Sequence, residues 1–309
     1  MMKLRILIAH FGPWPPWILY FLQTCRWNPH IDWMIFTDQT APRDTPPNVI
    51  VHQISLQAFG EILSGHFNMS ISLDNPYKIC DYRPAFGEIF RDWFRGYDYW
   101  GYSDLDLVYG NIFPLIEPYM KRKTDVIGVR EQYLAGHFAL FRNTPEISSL
   151  YKLYPYYLRV FSDTHLHYGF DEKSSLVGKK LKHPDESPFT HHFSESLGKA
   201  IRRIKYHLAT SSARDYRDMD VISKNMAQKG EISLFRKDMV RSDLWYRKQH
   251  IPDWEIIWDN GKLFDKKTGE ELLHFHLIRS KHDPKFRPEP WHNNNCFLIN
   301  RTGIHIQES

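Results

Sequence analysis

Short apolar runs divided by polar turns set the pattern of the first 130 residues. Residues 4–9 read as a buried strand. Pro13, Pro15 and Pro16 punctuate a turn, and residues 17–25 read as a helix whose first turn tolerates proline. A second strand, 31–37, ends at Asp38, and a proline-rich loop leads to a third at 49–54. This alternation argues for an α/β fold with a mostly parallel, Rossmann-type sheet flanked by helices. Phe86, Ile89, Phe90 and Trp93 recur every three or four residues, which predicts a helix over 84–95 with Pro84 at its first position. Residues 97–102 form an aromatic strand that runs directly into Ser103, Asp104, Leu105 and Asp106.

Two more strands follow at 125–130 and 137–142, and Thr144, Pro145 and Glu146 mark a helix start. From there to about residue 245 the chain turns polar and basic with weak periodicity. Order returns at 254–264, where Asn260-Gly261 between two apolar runs is a tight-hairpin signal. A last strand is expected at 271–278, carrying His274 and His276. With no repeat and no clear linker, the simplest division is one compact domain over 1–309. Within it, 1–143 form the binding half and 144–309 a decorated carboxyl-terminal half.

Composition removes several classes of function. Hydrophobic residues make up 42% of the 309, enough for a real core, so disorder is not the reading. A formal net charge of +4 is modest for a binder of nucleic-acid polymers. Cys25, Cys80 and Cys296 are far apart, without metal-ligand spacing, and fit a reducing compartment. The apolar run after the amino terminus is too short for a signal-peptide core, and no stretch approaches a membrane span. A cytoplasmic protein is expected, with peripheral contact at the inner membrane face open through Lys121-Arg122-Lys123 or the lysine-rich stretch 178–182. Gly-x-Gly-x-x-Gly, P-loop and Gly-x-Ser-x-Gly patterns are absent, which weakens dehydrogenase, kinase and hydrolase readings.

The chemistry concentrates where the aromatic strand ends. Carboxylates at i and i+2 of an extended segment project to one side, so Asp104 and Asp106 can converge on one cation while Leu105 faces the core. Ligands of open parallel sheets bind beyond the carboxyl ends of strands, where this pair falls. A hard oxygen pair suits Mg²⁺ or Mn²⁺, shared with substrate phosphates. His274 and His276 form a second i, i+2 pair, and an imidazole from there would favour Mn²⁺. Lys78 and Arg83 are candidates for phosphate contacts, Asp81 for sugar hydroxyls, Asp38 for a base or ribose, and Lys281 for a diphosphate. Gly136-His137 and the pair Asp171-Glu172 are the candidates for holding an acceptor and activating its hydroxyl. His165, His167, His183, His191 and His192 lie in the irregular middle, without zinc-site spacing.

With these residues in view, the chain resembles the GT-A glycosyltransferases, in particular bacterial polysaccharide-biosynthesis transferases, and more distantly the glycogenin-like transferases. The resemblance rests on residues 16–25, 31–38, 77–87, Trp100 to Asp106, 136–143 and His274-Phe275-His276. It implies a nucleotide-diphosphate sugar donor, foremost a UDP-sugar, bound by the first two strands. It also implies Mn²⁺ or Mg²⁺ on Asp104 and Asp106 with a late histidine as further ligand, and a surface-polysaccharide or lipid-linked glycan as acceptor. In glycogenin-like enzymes that histidine opens a signature with a later glycine and a Lys-Pro-Trp. Here Leu277 replaces the glycine and Lys281 falls one residue off the spacing, leaving His274 and His276 as alternatives. Two other readings stay open: a metal-dependent phosphoesterase or nucleotidyltransferase, and a non-catalytic carbohydrate-binding protein.

Overall fold

A computed structural model describes residues 2–172, 179–180, 217–291 and 295–307. Strands β1 (Leu4–Ala9), β2 (Ile31–Thr37), β3 (Val49–Gln53) and β4 (Tyr99–Ser103) are followed by β5 (Leu107–Tyr109), β6 (Val126–Gly128), β7 (Phe138–Arg142), β8 (Leu166–His167) and β9 (Lys179–Lys180). The later strands are β10 (Leu234–Arg236), β11 (Val240–Ser242), β12 (Ile256–Asp259), β13 (Lys262–Asp265), β14 (His274–His276), β15 (Cys296–Ile299) and β16 (Ile304–Ile306). The main helices of the first half are α1 (Ile18–Arg26), α2 (Leu56–Phe67), α3 (Phe86–Ile89) and α4 (Ile112–Lys121).

Seven strands form the central sheet in the order β10-β6-β7-β4-β1-β2-β3. The run from β4 to β3 is parallel, as is the pair β10 and β6, while β7 alone runs against both its neighbours. Alternation along the strands fills a core on each face. Leu4, Ile6 and Ile8 of β1 join Ile31, Trp33 and Ile35 of β2 beneath α1 and α4, whereas Leu7, Met34 and Phe36 meet Phe59, Phe86 and Trp100 on the opposite face. The mixed α/β architecture with a mostly parallel sheet between helices is thus the one the hydrophobic pattern predicts.

Two local expectations need correction. The segment 84–95 is not one helix: a 3₁₀ stretch Pro76–Ala85 leads into the four-residue α3, and turns follow to Gly96. The apolar period is real, because Phe86, Phe90 and Phe94 are all buried, but Trp93 is 43% exposed. Packing drives the irregular path, since Gly87 presses against the Trp100 indole at a distance that leaves no room for a Cβ. The strand with the two histidines is also not the last. β15 and β16 follow it and join the β12–β13 hairpin in a four-stranded antiparallel sheet with its own core around Trp258, Phe275 and Phe297. The hairpin itself turns at Asn260 and Gly261, both at positive φ, as the Asn-Gly signal required. Within the weakly periodic middle, Asp218 caps the helix Met219–Gln228 and Ser242 caps Asp243–Lys248.

No helix among the described residues is long and apolar enough to cross a membrane. The lysine-rich stretch 178–182 enters only as the backbone of β9, and His183, His191 and His192 lie outside the described residues.

Candidate metal centre in a polar cleft

Backbone hydrogen bonds pin the loop after β4 residue by residue. The Asp104 N–H donates to the His137 carbonyl at 3.0 Å, and the Asp106 carbonyl accepts from the Leu277 N–H at 2.9 Å. Between them, the Leu105 carbonyl accepts from the Trp17 indole at 2.9 Å while its side chain is buried in the core. The loop therefore has no peptide free to swing its carboxylates away. The next strand, β5, pairs antiparallel with β14 in a second sheet, matching Leu107 to His276. That register, which joins positions 169 apart in the sequence, carries the His276 imidazole to the aspartates.

Ligand atoms of Asp104, Asp106 and His276 lie within 4.8 Å of one another. Two carboxylate oxygens and an imidazole, with the His276 Nδ1 buried and lacking a hydrogen-bond partner, are a donor set that fits Mn²⁺ or Mg²⁺. His274 is the histidine that does not join. It is fully buried one strand step behind, between Tyr109, His137 and Phe138, and both its ring nitrogens lack partners.

Cations already surround the carboxylates. The Lys281 ammonium donates to Asp106 Oδ2 at 2.6 Å, and His276 Nε2 is 3.2 Å from the same oxygen. Burial opposes ionisation of Asp106, but His276 and Lys281 overcome it and hold the carboxyl well below the usual carboxylate range. Burial also pulls the Lys281 ammonium down, and Asp106 more than offsets it, so Lys281 stays charged. Arg83 bridges two carboxylates, pairing with Asp104 and, at 3.1 Å, with Asp171, while it donates to the Gly136 carbonyl at 2.6 Å. Asp171 is buried, and burial together with Glu172, Asp81 and Asp104 pushes its carboxyl well above the ordinary range despite Arg83. Gly136 is required here: a Cβ at this position would stand 2.8 Å from Asp171 Oδ2. The His137 imidazole is held well below the ordinary histidine value, first by burial and then by the neighbouring His276 and His274, so it is neutral.

These groups line one cleft of about 790 Å³. It contains Arg83, Asp104, Asp106, Gly136, His137, Asp171, Glu172, His276 and Lys281 from the sequence-derived candidates. Two candidates are corrected. Lys78 is fully buried, and its ammonium donates to Asp81 and to the carbonyls of Val160 and Leu166, each at 2.8 Å, which leaves no proton for a phosphate. Asp81 is equally buried and accepts the backbone N–H groups of Tyr168 and Phe170, so it fastens β8 and the Asp171 loop rather than a sugar. Asp38 is exposed beside the cleft; one of its oxygens accepts the Gly12 N–H at 2.9 Å and steadies the loop after β1. The cleft adds residues that the pattern did not single out: His10, Tyr77, Cys80, Arg130, Tyr133, Trp245 and Lys248. His10, Arg130 and Tyr133 sit on loops, Tyr77 and Cys80 in the 3₁₀ stretch, and Trp245 and Lys248 on a six-residue helix, none of which carries a periodic signature long enough to mark them.

The fold and site together define an α/β protein with a carboxylate–imidazole centre at the carboxyl end of its central sheet. The chain belongs to the family of unknown function DUF6625, whose pattern spans residues 6–308. No curated protein matches the chain.

Proposed function

We propose that the protein is a metal-dependent glycosyltransferase of GT-A type that moves a sugar from a nucleotide-diphosphate sugar to a glycan or lipid-linked acceptor. The observation that carries this reading is the convergence of Asp104, Asp106 and His276 in a large polar cleft at the carboxyl end of β4. The mostly parallel sheet between helices agrees with the fold the GT-A resemblance implies.

Asp104, Asp106 and His276 would hold Mn²⁺ or Mg²⁺, and such a cation, when bound, supplies Lewis-acid neutralisation of the charge that grows on a departing diphosphate. The chain's own residues supply the rest. Lys281 and Arg83 bring two permanent positive charges to the same end of the cleft, where a diphosphate needs them. Arg83 also sets the spacing of Asp104 and Asp171, so the leaving-group end and the acidic end of the cleft are held by one rigid fork. Asp171, whose carboxyl burial holds well above the ordinary range, lines the cleft with Glu172 beside it, and its ionised form would be the base for an attacking hydroxyl. The loop after β1, with His10, Phe11 and Trp17 in the lining, provides the surface for the nucleotide.

The test is a melting-temperature screen of nucleotide diphosphates and their sugars, each with and without Mn²⁺, followed by analysis of the released nucleotide. Metal-dependent stabilisation by one nucleotide, UDP first, and release of free nucleotide diphosphate are expected. Release of monophosphate or inorganic phosphate would replace the transferase by a phosphoesterase. Glycan binding with no nucleotide effect would replace it by a carbohydrate-binding protein.

A further inference from the structure

The sheet order separates the cleft into two ends. The loop after β1 lies on the β2–β3 side of the carboxylates, whereas β6 and β10 lie on the other side of β4, beyond the reversed β7. On that second side three residues enter the lining from two elements. Arg130 comes from the loop two residues after β6, and Trp245 and Lys248 come from the helix Asp243–Lys248. Residues three apart share a helix face, so the indole and the ammonium are neighbours on the side that looks into the cleft.

The surroundings of these groups are built rather than incidental. The Ser242 hydroxyl accepts the backbone N–H of Trp245 at 3.2 Å and caps the helix that carries the indole. The Arg241 guanidinium stands 4.7 Å from the centre of the Trp245 indole, and the Tyr246 ring meets it edge-on at 4.8 Å. An indole fixed in this way, with atoms still lining the cleft, is a platform for the apolar face of a pyranose. Arg130 is largely buried, with a side chain 13% exposed, and donates to the Val240 carbonyl at 3.3 Å, tying β6 to β11. Its Nε is buried without a hydrogen-bond partner, and its nearest carboxylate, Asp238, is 3.9 Å away. No carboxylate among the described residues pairs with Lys248, in contrast to Arg83 and Lys281, whose charges are already matched. Asp238 is the acidic group of this end, and Glu172 lines the cleft nearer the centre.

We infer that Arg130, Trp245 and Lys248 form an acceptor subsite for a saccharide ring that carries an anionic group, a carboxylate or a phosphate. The inference rests on the transferase reading for the word acceptor, and on geometry alone for the ligand chemistry. Trp245 takes the ring face, and Arg130 and Lys248 take the acid, which a neutral sugar cannot supply. A glycan containing a uronic acid and a sugar joined through phosphate both present this chemistry.

Saturation-transfer NMR and calorimetry on the whole protein, in chelator and without nucleotide, test the subsite separately from the donor reaction. The probes are D-glucose, D-glucuronic acid, glucose 1-phosphate and inorganic phosphate. The two acidic sugars should bind about tenfold or more tightly than glucose, and the tighter of the two names the anionic group. Lys248→Ala, a surface change that leaves the core intact, should shrink the preference to about threefold or less, and Trp245→Ala should weaken all three sugars together. Arg130→Lys should keep the charge but lose the forked contact, with a smaller loss of preference. Equal binding of glucose and both acidic sugars, a preference untouched by Lys248→Ala and Arg130→Lys, or no binding of the acidic sugars at millimolar concentration would each overturn the subsite. Inorganic phosphate binding as tightly as glucose 1-phosphate, with no effect of Trp245→Ala, would overturn it too. None of these results bears on metal-dependent nucleotide binding, which judges the transferase reading by itself.

Discussion

Two lysine–aspartate pairs among the described residues are of nearly equal length and opposite character. Lys78 and Asp81 are 2.8 Å apart with both side chains wholly buried. Lys281 and Asp106 are 2.6 Å apart, but the lysine side chain keeps 33% of its exposure at the edge of the cleft. In the first pair the lysine protons go to one carboxylate and two backbone carbonyls, and the aspartate receives two backbone N–H groups. The ensemble is closed, and burial lowers the Lys78 ammonium from its ordinary value although Asp81 opposes the change. In the second pair the ammonium donates to one oxygen and the carboxylate shares a small space with Asp104 and His276. A closed pair fixes structure, whereas an open one retains contacts that a ligand can take over. Length alone does not distinguish them.

The largest effect expected from this contrast is on stability at the closed pair. Lys78→Met leaves Asp81 charged and buried and should cost about 3–5 kcal/mol in denaturant unfolding. A cost below about 1 kcal/mol would make the pair no more than a surface-type contact. Next comes catalysis at the open pair. Asp106→Asn should lower metal-dependent turnover about 100- to 1,000-fold, the scale of losing a Lewis-acid ligand, while the fold remains intact by circular dichroism. An unchanged rate would remove Asp106 from the reaction.

The two histidines of β14 sharpen the comparison. His276→Ala should weaken Mn²⁺ binding by about 10- to 100-fold in calorimetry. His274→Leu should leave metal affinity unchanged and alter stability by less than about 1 kcal/mol in either direction, because neither buried nitrogen has a partner to lose. Matching losses of metal affinity in both variants would restore His274 to the ligand set. A similarly small effect is expected for Lys281→Ala, with a stability cost of about 1 kcal/mol or less because the lysine reaches solvent.

Asp171 gives the pH dependence. Its folded carboxyl titrates above its unfolded value, so its contribution to stability is fully present below the unfolded value and is lost as pH rises through the folded one. Asp171→Asn removes that dependence. The melting temperature of the variant should therefore gain on the native protein as pH is raised from about 4 towards neutrality. A gap that closes over this range would show Arg83 to dominate the site.

Much of the framework is legible in order along the chain. The apolar runs at β1, β2, β3 and β4, the proline-tolerant start of α1, the Asn260-Gly261 hairpin and the Thr144 cap are local signals, each settled within a few residues. The aspartates at a strand end belong to the same class, since they follow β4 directly, although the structure carries them on a bend and not on extended backbone. The helix expected over 84–95 fails because its apolar period measures burial and not backbone form. Phe90 and Phe94 reach the core from turns as well as they would from a helix. Lys78 and Asp81 were misplaced for a related reason, because a charged cluster ahead of a cleft reads identically whether its protons face a ligand or Val160, Leu166 and Tyr168.

By itself the sequence determined the alternation of elements, the two faces of each central strand and the convergence of Asp104 with Asp106, because these depend on contacts between near neighbours. Only the tertiary structure decided which histidine meets the aspartates, which of Lys78, Arg83 and Lys281 faces the cleft, and that Arg130 and Lys248 share one wall. Those outcomes follow from the pairing of β5 with β14 and of β6 with β10, and from the bond that ties Arg130 to β11. Such partners lie more than 100 residues apart, and no local pattern encodes the register between them.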